Sequence, residues 1–317
     1  MNKHILILLL VLIMTATSSV FVGSAALGAL DAHQLGSIIF GIRIPRVLFA
    51  IVIGVALSVS GVVFQVVLRN PMADSFTLGM ANGAVLGSAI VVVLPLPLYM
   101  QPVLSIVTGL LGLMVVLFAA RRIDVQYRPE TLIITGVLLG AMLSGVLYIL
   151  VLIQPTQTES IARYMFGSLS GAAYGEVLLT GALTLIAGLV IHKYGRQLDL
   201  LNLGDVRAFS LGVKVGRLRL LLLVIASVPP LVAISFSGII ALAGIIVPQM
   251  ILYFKPLLFR PLMILSALYG ALYILIIDTI GRTVIAPVQI PTGVMVMLSA
   301  VPLFIFLMQK RMLTRKS

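Results

Sequence analysis

Few side chains in this sequence could do chemistry. Of 317 residues, nine are acidic, three are histidine and none is cysteine. His4, His33 and His192 are far apart and have no carboxylate at ligand spacing, so no zinc or haem site is expected within the chain. Without cysteine there are no disulfides, thiolate metal sites or iron–sulfur clusters. No GxxxxGK(S/T) loop occurs, so any ATP hydrolysis belongs to another polypeptide. No acid, base and nucleophile cluster, and an integral-membrane enzyme is the least favoured reading.

The charged residues that do occur sit at particular places. Arg43 and Arg46 flank Pro45 in RIPR, and Arg282 follows Asp278 by four residues in DTIGR. An i, i+4 Asp–Arg pair can be a local ion pair. Three arginines near one face also suit the docking of an acidic partner. In the segment 192–219, Leu203, Gly204 and Asp205 precede 206–211, and Gly212 follows. This pattern predicts a short helix bracketed by glycines, with Asp205 in the first turn where a carboxylate suits the helix dipole. The segment is either a solvated connector or an amphipathic helix that receives force from a soluble motor. Ser60, Gln65 and Asn82 interrupt apolar runs, as lining of a path or as interhelical hydrogen bonds.

The elements that must position these residues are membrane helices. The chain is 61% apolar and 9% charged, against roughly 45–50% and about 25% in soluble domains, and its mean hydropathy is +1.23. So little charge cannot cover a water-facing surface. The fold class is all-α, a single polytopic domain over 1–317. A bilayer core of about 30 Å takes about 20 helical residues, which gives about ten spans: 4–28, 45–68, 75–95, 100–119, 129–153, 174–192, 217–236, 239–254, 261–281 and 292–309.

With the N-terminus inside, all of the 21 basic residues except Arg43, Arg46, Arg163 and Arg282 fall on the cytoplasmic side. Both termini are then cytoplasmic and the number of spans is even. The net charge of +12 arises from basic residues placed between apolar runs, which is the mark of topology rather than of nucleic-acid binding. Lys3, the following apolar run and Ser24, Ala25 and Ala26 also resemble a signal peptide, but 5–22 is longer than the usual h-region. Glycines at GxxxG spacing (Gly79, Gly83 and Gly87; Gly136 and Gly140; Gly167, Gly171 and Gly175) are expected to serve helix packing.

A carrier coupled to protons or sodium would hold acids near mid-membrane. Asp31, Asp74, Asp124, Glu130, Glu159, Glu176, Asp199, Asp205 and Asp278 all fall in expected loops or near helix ends. This weighs against the alternative of a self-contained secondary transporter or channel, and energy is expected to arrive from outside the bilayer.

The segment RIPRVLFAIVIGVALSVSGVVFQVVLRNPMADSFTLG resembles the signature of the iron-siderophore, haem and cobalamin import permeases of bacterial ABC transporters. That family has an R-L-P-R start, a G-x-x-L-x-x-S-G helix and an R-N-P-L-A-D-P turn in this order. The resemblance continues through LNLGDVRAFSLGV, SGIIALAGIIVPQM, DTIGRTVIAPVQIPTG and SAVPLFIFLMQK, and so covers 43–310. It implies a type II ABC importer fold, like that of the cobalamin-importer permease, in the bacterial cytoplasmic (inner) membrane. It also implies a second permease subunit, identical or homologous, an extracytoplasmic substrate-binding protein, and ABC ATPase subunits that bind ATP-Mg while this chain binds no cofactor.

By the same resemblance, Arg43, Arg46 and Arg282 match arginines that meet the binding protein. Leu203, Gly204, Asp205, Ser210, Leu211, Gly212 and Val213 match the ATPase coupling segment, within about 193–219. Arg69, Asn70, Pro71 and Asp74 match the turn after the second helix, structural first and an ATPase contact second. Ferric siderophore is the commonest cargo, with haem and cobalamin as alternatives. The sequence departs from the pattern at Gln249, where V-P-H is usual, at FKPLLFRP, where a polar G-x-D-H-R connection is common, and at Met72 and Ser75.

Overall fold

The computed structural model describes residues 2–23, 32–94, 96, 97, 99–123 and 129–314. The expected first-span end at 24–28, Asp31, Asp124, Arg128, Arg315 and Lys316 lie outside the described residues. Among the described residues there is no strand. The order is α1 (Asn2–Phe21), α2 (Ala32–Ile38), a π turn (Ile39–Arg43), α3 (Ile44–Val67), α4 (Met80–Val93), α5 (Met100–Ile123), α6 (Pro129–Ile153) and α7 (Thr158–Phe166). There follow α8 (Tyr174–Lys193), α9 (Gly195–Asn202), α10 (Asp205–Ser210), α11 (Val215–Ser237), α12 (Ala243–Phe254), α13 (Phe259–Gly281) and α14 (Thr292–Thr314).

Seven stretches are long and apolar enough to cross a membrane: α1, α2 continued into α3, α5, α6, α8, α11 and α13. Three shorter apolar helices, α4, α12 and α14, stand where the third, eighth and tenth spans are expected. Two differences from expectation have local causes. The third span begins at Met80 rather than 75, because Asp74 and Thr77 hydrogen-bond each other and hold 75–79 in turns. The second span is the end of a longer helix that starts at Ala32 and passes through the π turn, so Pro45 sits inside a helix path where its missing N–H is tolerated at the first turn of α3.

α3 is the central element, packed against α8, α11, α12 and α13. Small residues let the backbones touch. A Cβ on Gly54 would overlap the Gly270 carbonyl of α13, and one on Gly61 would overlap the Gly244 carbonyl of α12. Lipid gives no hydrophobic drive between helices, so such close approach supplies much of the packing. The outside of the bundle is apolar: Leu138, Met142 and Tyr148 of α6, Leu178 and Leu185 of α8, and Leu6 and Met14 of α1 are all exposed. Gly83 and Gly87 pack on α5 as expected of GxxxG steps. Gly167 and Gly171, by contrast, lie in the connection between α7 and α8 and are not on a helix face.

Candidate functional site

At the end assigned to the inside, the expected short helix is present as α10. Gly204 (φ +108°) and Gly212 (φ +86°) bracket it in the left-handed region that glycine alone enters without strain. Asp205 accepts two hydrogen bonds from the Arg219 guanidinium, both at 3.0 Å, and lies 3.9 Å from Arg69. Arg219 also donates to the Val67 carbonyl at 3.2 Å. One carboxylate therefore ties α10 to the first turns of α11 and to the end of α3. The other face of α10 is apolar and uncovered: Val206 is 84% exposed and Phe209 72%. Leu203 and Leu211 are also exposed, whereas Val213 is buried, and Ser210 donates to the Arg207 carbonyl. The arrangement is an apolar knob on a charged stem, suited to passing a push from a partner into α3 and α11.

The turn after α3 is built by its own side chains. Arg69 has φ +48°, Asn70 Oδ1 accepts from the Met72 N–H at 2.8 Å, and Asp74 Oδ1 accepts from the Thr77 N–H at 2.8 Å. Asp74 is buried, and burial pushes its carboxyl above the usual carboxylate range against the opposing hydrogen bonds from Thr77. Pro71 and Met72 lie at the surface of this turn, and Ser75 is buried.

Gln249 has a partner here. Its Nε2 donates to Gln65 Oε1 at 2.6 Å, and Gln65 Nε2 donates to the Gly244 carbonyl at 2.9 Å. The chain α3–α12 is thus stitched by two amides beside a cavity of about 470 Å³ that Arg69 and Asn70 also line. In the FKPLLFRP connection, Asp199 Oδ1 accepts from the Phe259 N–H at 2.7 Å and Arg260 donates to the His192 carbonyl at 3.2 Å. These bonds join α9 and the end of α8 to α13.

At the opposite end the three arginines are inside the protein. Arg43, Arg46 and Arg282 are only 5%, 5% and 3% exposed. Arg46 donates to Asp278 through Nε at 3.0 Å and a terminal nitrogen at 2.9 Å, and to Gln289 Oε1. Thr292 donates to the same carboxylate at 2.8 Å. Arg43 donates to the Val20 and Phe21 carbonyls at 3.1 and 2.9 Å, and Arg282 donates to the Ser19 carbonyl and hydroxyl. In this chain the end of α1 and Asp278 take up these guanidiniums, as the local ion-pair reading allows for Arg282. Asp278 does meet Arg282, at 4.0 Å, yet its closer partner is Arg46, 232 residues away.

Ser60, Gln65 and Asn82 are all buried. Gln65 bonds α12 as described, Asn82 donates to the Gly140 carbonyl of α6 at 3.0 Å, and the Ser60 hydroxyl has no hydrogen-bond partner among the described residues. Because α3 is enclosed by four helices of its own chain, side chains on it brace that bundle. Gln65 and Asn82 make the interhelical bonds expected of one reading, and Gln65 also lines the cavity of about 470 Å³.

Among the described residues no group of three or more histidine, cysteine, aspartate or glutamate residues is placed to hold a metal. Sequence reasoning missed the Arg219–Asp205 and Arg46–Asp278 pairs and the amphipathic α7. The i, i+4 spacing pointed to Arg282 as the partner of Asp278, and no local signal pointed to Arg46.

A model of the FecCD transport family matches residues 4–310. The hemin transport system permease protein HmuU of Yersinia pestis is 31% identical over 308 residues, 91% of each chain. The Fe(3+) dicitrate transport system permease protein FecD of Escherichia coli is 31% identical, covering 87% of this chain and 86% of the relative. An uncharacterized ABC transporter permease of Bacillus subtilis, YvrB, is 31% identical over 86% of this chain and 79% of its own. A solved structure described as an inward-facing conformation of a metal-chelate type ABC transporter superposes with a TM-score of 0.87 at 26% identity, covering 98% of this chain and all of that one. The PsaBC structure from Streptococcus pneumoniae shares the fold, with a TM-score of 0.66 at 19% identity.

Proposed function

The chain belongs to the FecCD transport family, and on that premise we propose that it moves a ferric siderophore across the bacterial cytoplasmic membrane. At the coarser level it is a multi-pass permease of a metal-chelate, haem or cobalamin-type ABC importer, a subunit class that is not itself enzymatic. The observation that carries the mechanism is the uncovered Val206–Phe209 face of α10 on its Asp205–Arg219 stem.

In this reading ATPase subunits carrying ATP-Mg bind the α10 face from the cytoplasm, where both termini also lie. Their closure pushes α10, and the Asp205 carboxylate hands the displacement to α11 and to the end of α3. A substrate-binding protein delivers the chelate at the opposite end. There Arg43, Arg46 and Arg282 hold the docking surface in shape through Asp278 and the end of α1. A second permease subunit, identical or homologous, completes the path. Relatives named for ferric citrate and hemin transport support an iron-bearing cargo.

The test is reconstitution of the permease with its ATPase and binding protein. Asp205→Ala should keep the ATPase bound but uncouple it, so that hydrolysis no longer rises with loaded binding protein and uptake of radio-iron siderophore falls at least tenfold. Phe209→Ser should weaken ATPase recovery itself. Normal transport in both variants would sink the coupling reading. Uptake of haem or cobalamin in place of the siderophore would overturn the cargo alone.

A further inference from the structure

A groove of about 490 Å³ opens beside the coupling segment, between the start of α9 and the start of α11. Pockets of about 300–1,000 Å³ suit small ligands. Arg196, Lys214 and Arg217 line it, all exposed, and no carboxylate is among its lining residues. The same walls include Leu200, Leu218 and Leu221. Leu218 and Leu221 belong to the first two turns of the spanning helix α11, and the exposed Leu220 and Leu221 carry the apolar surface down that helix. Tyr194, at the end of α8, also lines the groove and is the residue type that sits at headgroup level. Gln197 also lines the groove.

We infer that this groove binds an anionic phospholipid of the cytoplasmic leaflet, such as phosphatidylglycerol. The three cations face the phosphate, since basic pockets between membrane helices on the cytoplasmic side suit such headgroups. The leucines of α11 accept the first carbons of an acyl chain. Topology alone explains basic residues on this side of the membrane. It does not explain three of them lining one concavity with an apolar wall. An ATPase subunit is the other conceivable occupant, because Leu211 and Gly212 adjoin α10. The continuation of the apolar wall along a spanning helix favours lipid.

The probe is dihexanoyl-phosphatidylglycerol, titrated into the detergent-solubilised complex and read by native mass spectrometry. One lipid per permease chain is expected, with dihexanoyl-phosphatidylcholine binding far more weakly. The triple change Arg196→Gln, Lys214→Gln, Arg217→Gln should weaken binding roughly a hundredfold, at about 1 kcal/mol per cation. Lys193→Gln, an exposed cation outside the groove, should change nothing. Leu221→Asn keeps every cation and should still lower lipid affinity, which covers the case of a triple variant that does not fold. Equal binding by wild type and triple variant would overturn the inference, as would equal binding of phosphatidylcholine. Inorganic phosphate competing as well as the lipid would reassign the site to free anion. Retained lipid with loss of the ATPase subunit would make the groove a protein-docking surface.

Discussion

Removing the Asp278 carboxylate tests whether this end of the bundle is held by buried charge. The side chain is 1% exposed, bonded twice to Arg46 and once to Thr292, with Arg282 at 4.0 Å. Asp278→Ala leaves two enclosed guanidiniums facing each other without an anion. Losing one member of a buried pair costs about 3–5 kcal/mol, and the Thr292 hydroxyl left without an acceptor adds about 1 kcal/mol. Asp278→Asn keeps the acceptor for Thr292 and should lose less. The double change Arg46→Met, Asp278→Leu removes the Arg46 pair but leaves the enclosed Arg282 without its carboxylate and Thr292 without its acceptor, so it should recover only part of the loss. Equilibrium unfolding in mixed SDS and mild detergent measures all three against wild type. If Asp278→Ala unfolded within about 0.5 kcal/mol of wild type, the pair would not be structural and the arginines would be available as surface charge.

Gly61→Val should destabilise by more than the roughly 1–3 kcal/mol of ordinary overpacking, because its Cβ meets the Gly244 backbone. Gly145→Ala, with nothing within 4 Å, should be neutral or stabilising in the same SDS unfolding assay. Gln249→Leu strands Gln65 Oε1 and should cost about 1–3 kcal/mol, whereas Gln249→His can still donate and should approach wild type. Asp74 holds its proton more tightly folded than unfolded, so its contribution is complete below the unfolded pKa and is lost as pH rises through the raised folded value. Asp74→Asn should flatten that fall in a pH series of unfolding curves while keeping the bond from the Thr77 N–H.

The helices were readable because membrane spans announce themselves locally, through runs of apolar residues broken by charge, glycine and proline. α10 was readable for a related reason: Gly204 and Gly212 mark its ends within nine residues. What the sequence could not show is pairing across distance. Nothing near Arg46 points to Asp278, and Asp205 lies 14 residues from Arg219 with no helical repeat connecting them. Gln65 and Gln249 each look like stray polar residues until α3 and α12 are brought together. The arginines illustrate the limit most clearly. Their place together at one end of the bundle was legible, but whether a guanidinium faces water or a carbonyl depends on α1, which the RIPR segment does not encode.

The two ion pairs stand at opposite ends of one helix. α3 has 24 residues, about 36 Å at 1.5 Å per residue. Arg46 sits in its first turn, and Arg69 and the Val67 carbonyl lie at its far end beside the Asp205–Arg219 pair. Between them, Gly54 and Gly61 press its backbone directly onto α13 and α12, leaving no side-chain layer to compress. Such a strut is expected to rotate or slide as a whole rather than flex. Motion entering at the Asp205 carboxylate would then reach the Asp278 carboxylate undiminished, and compliance would have to reside in helices packed through longer side chains.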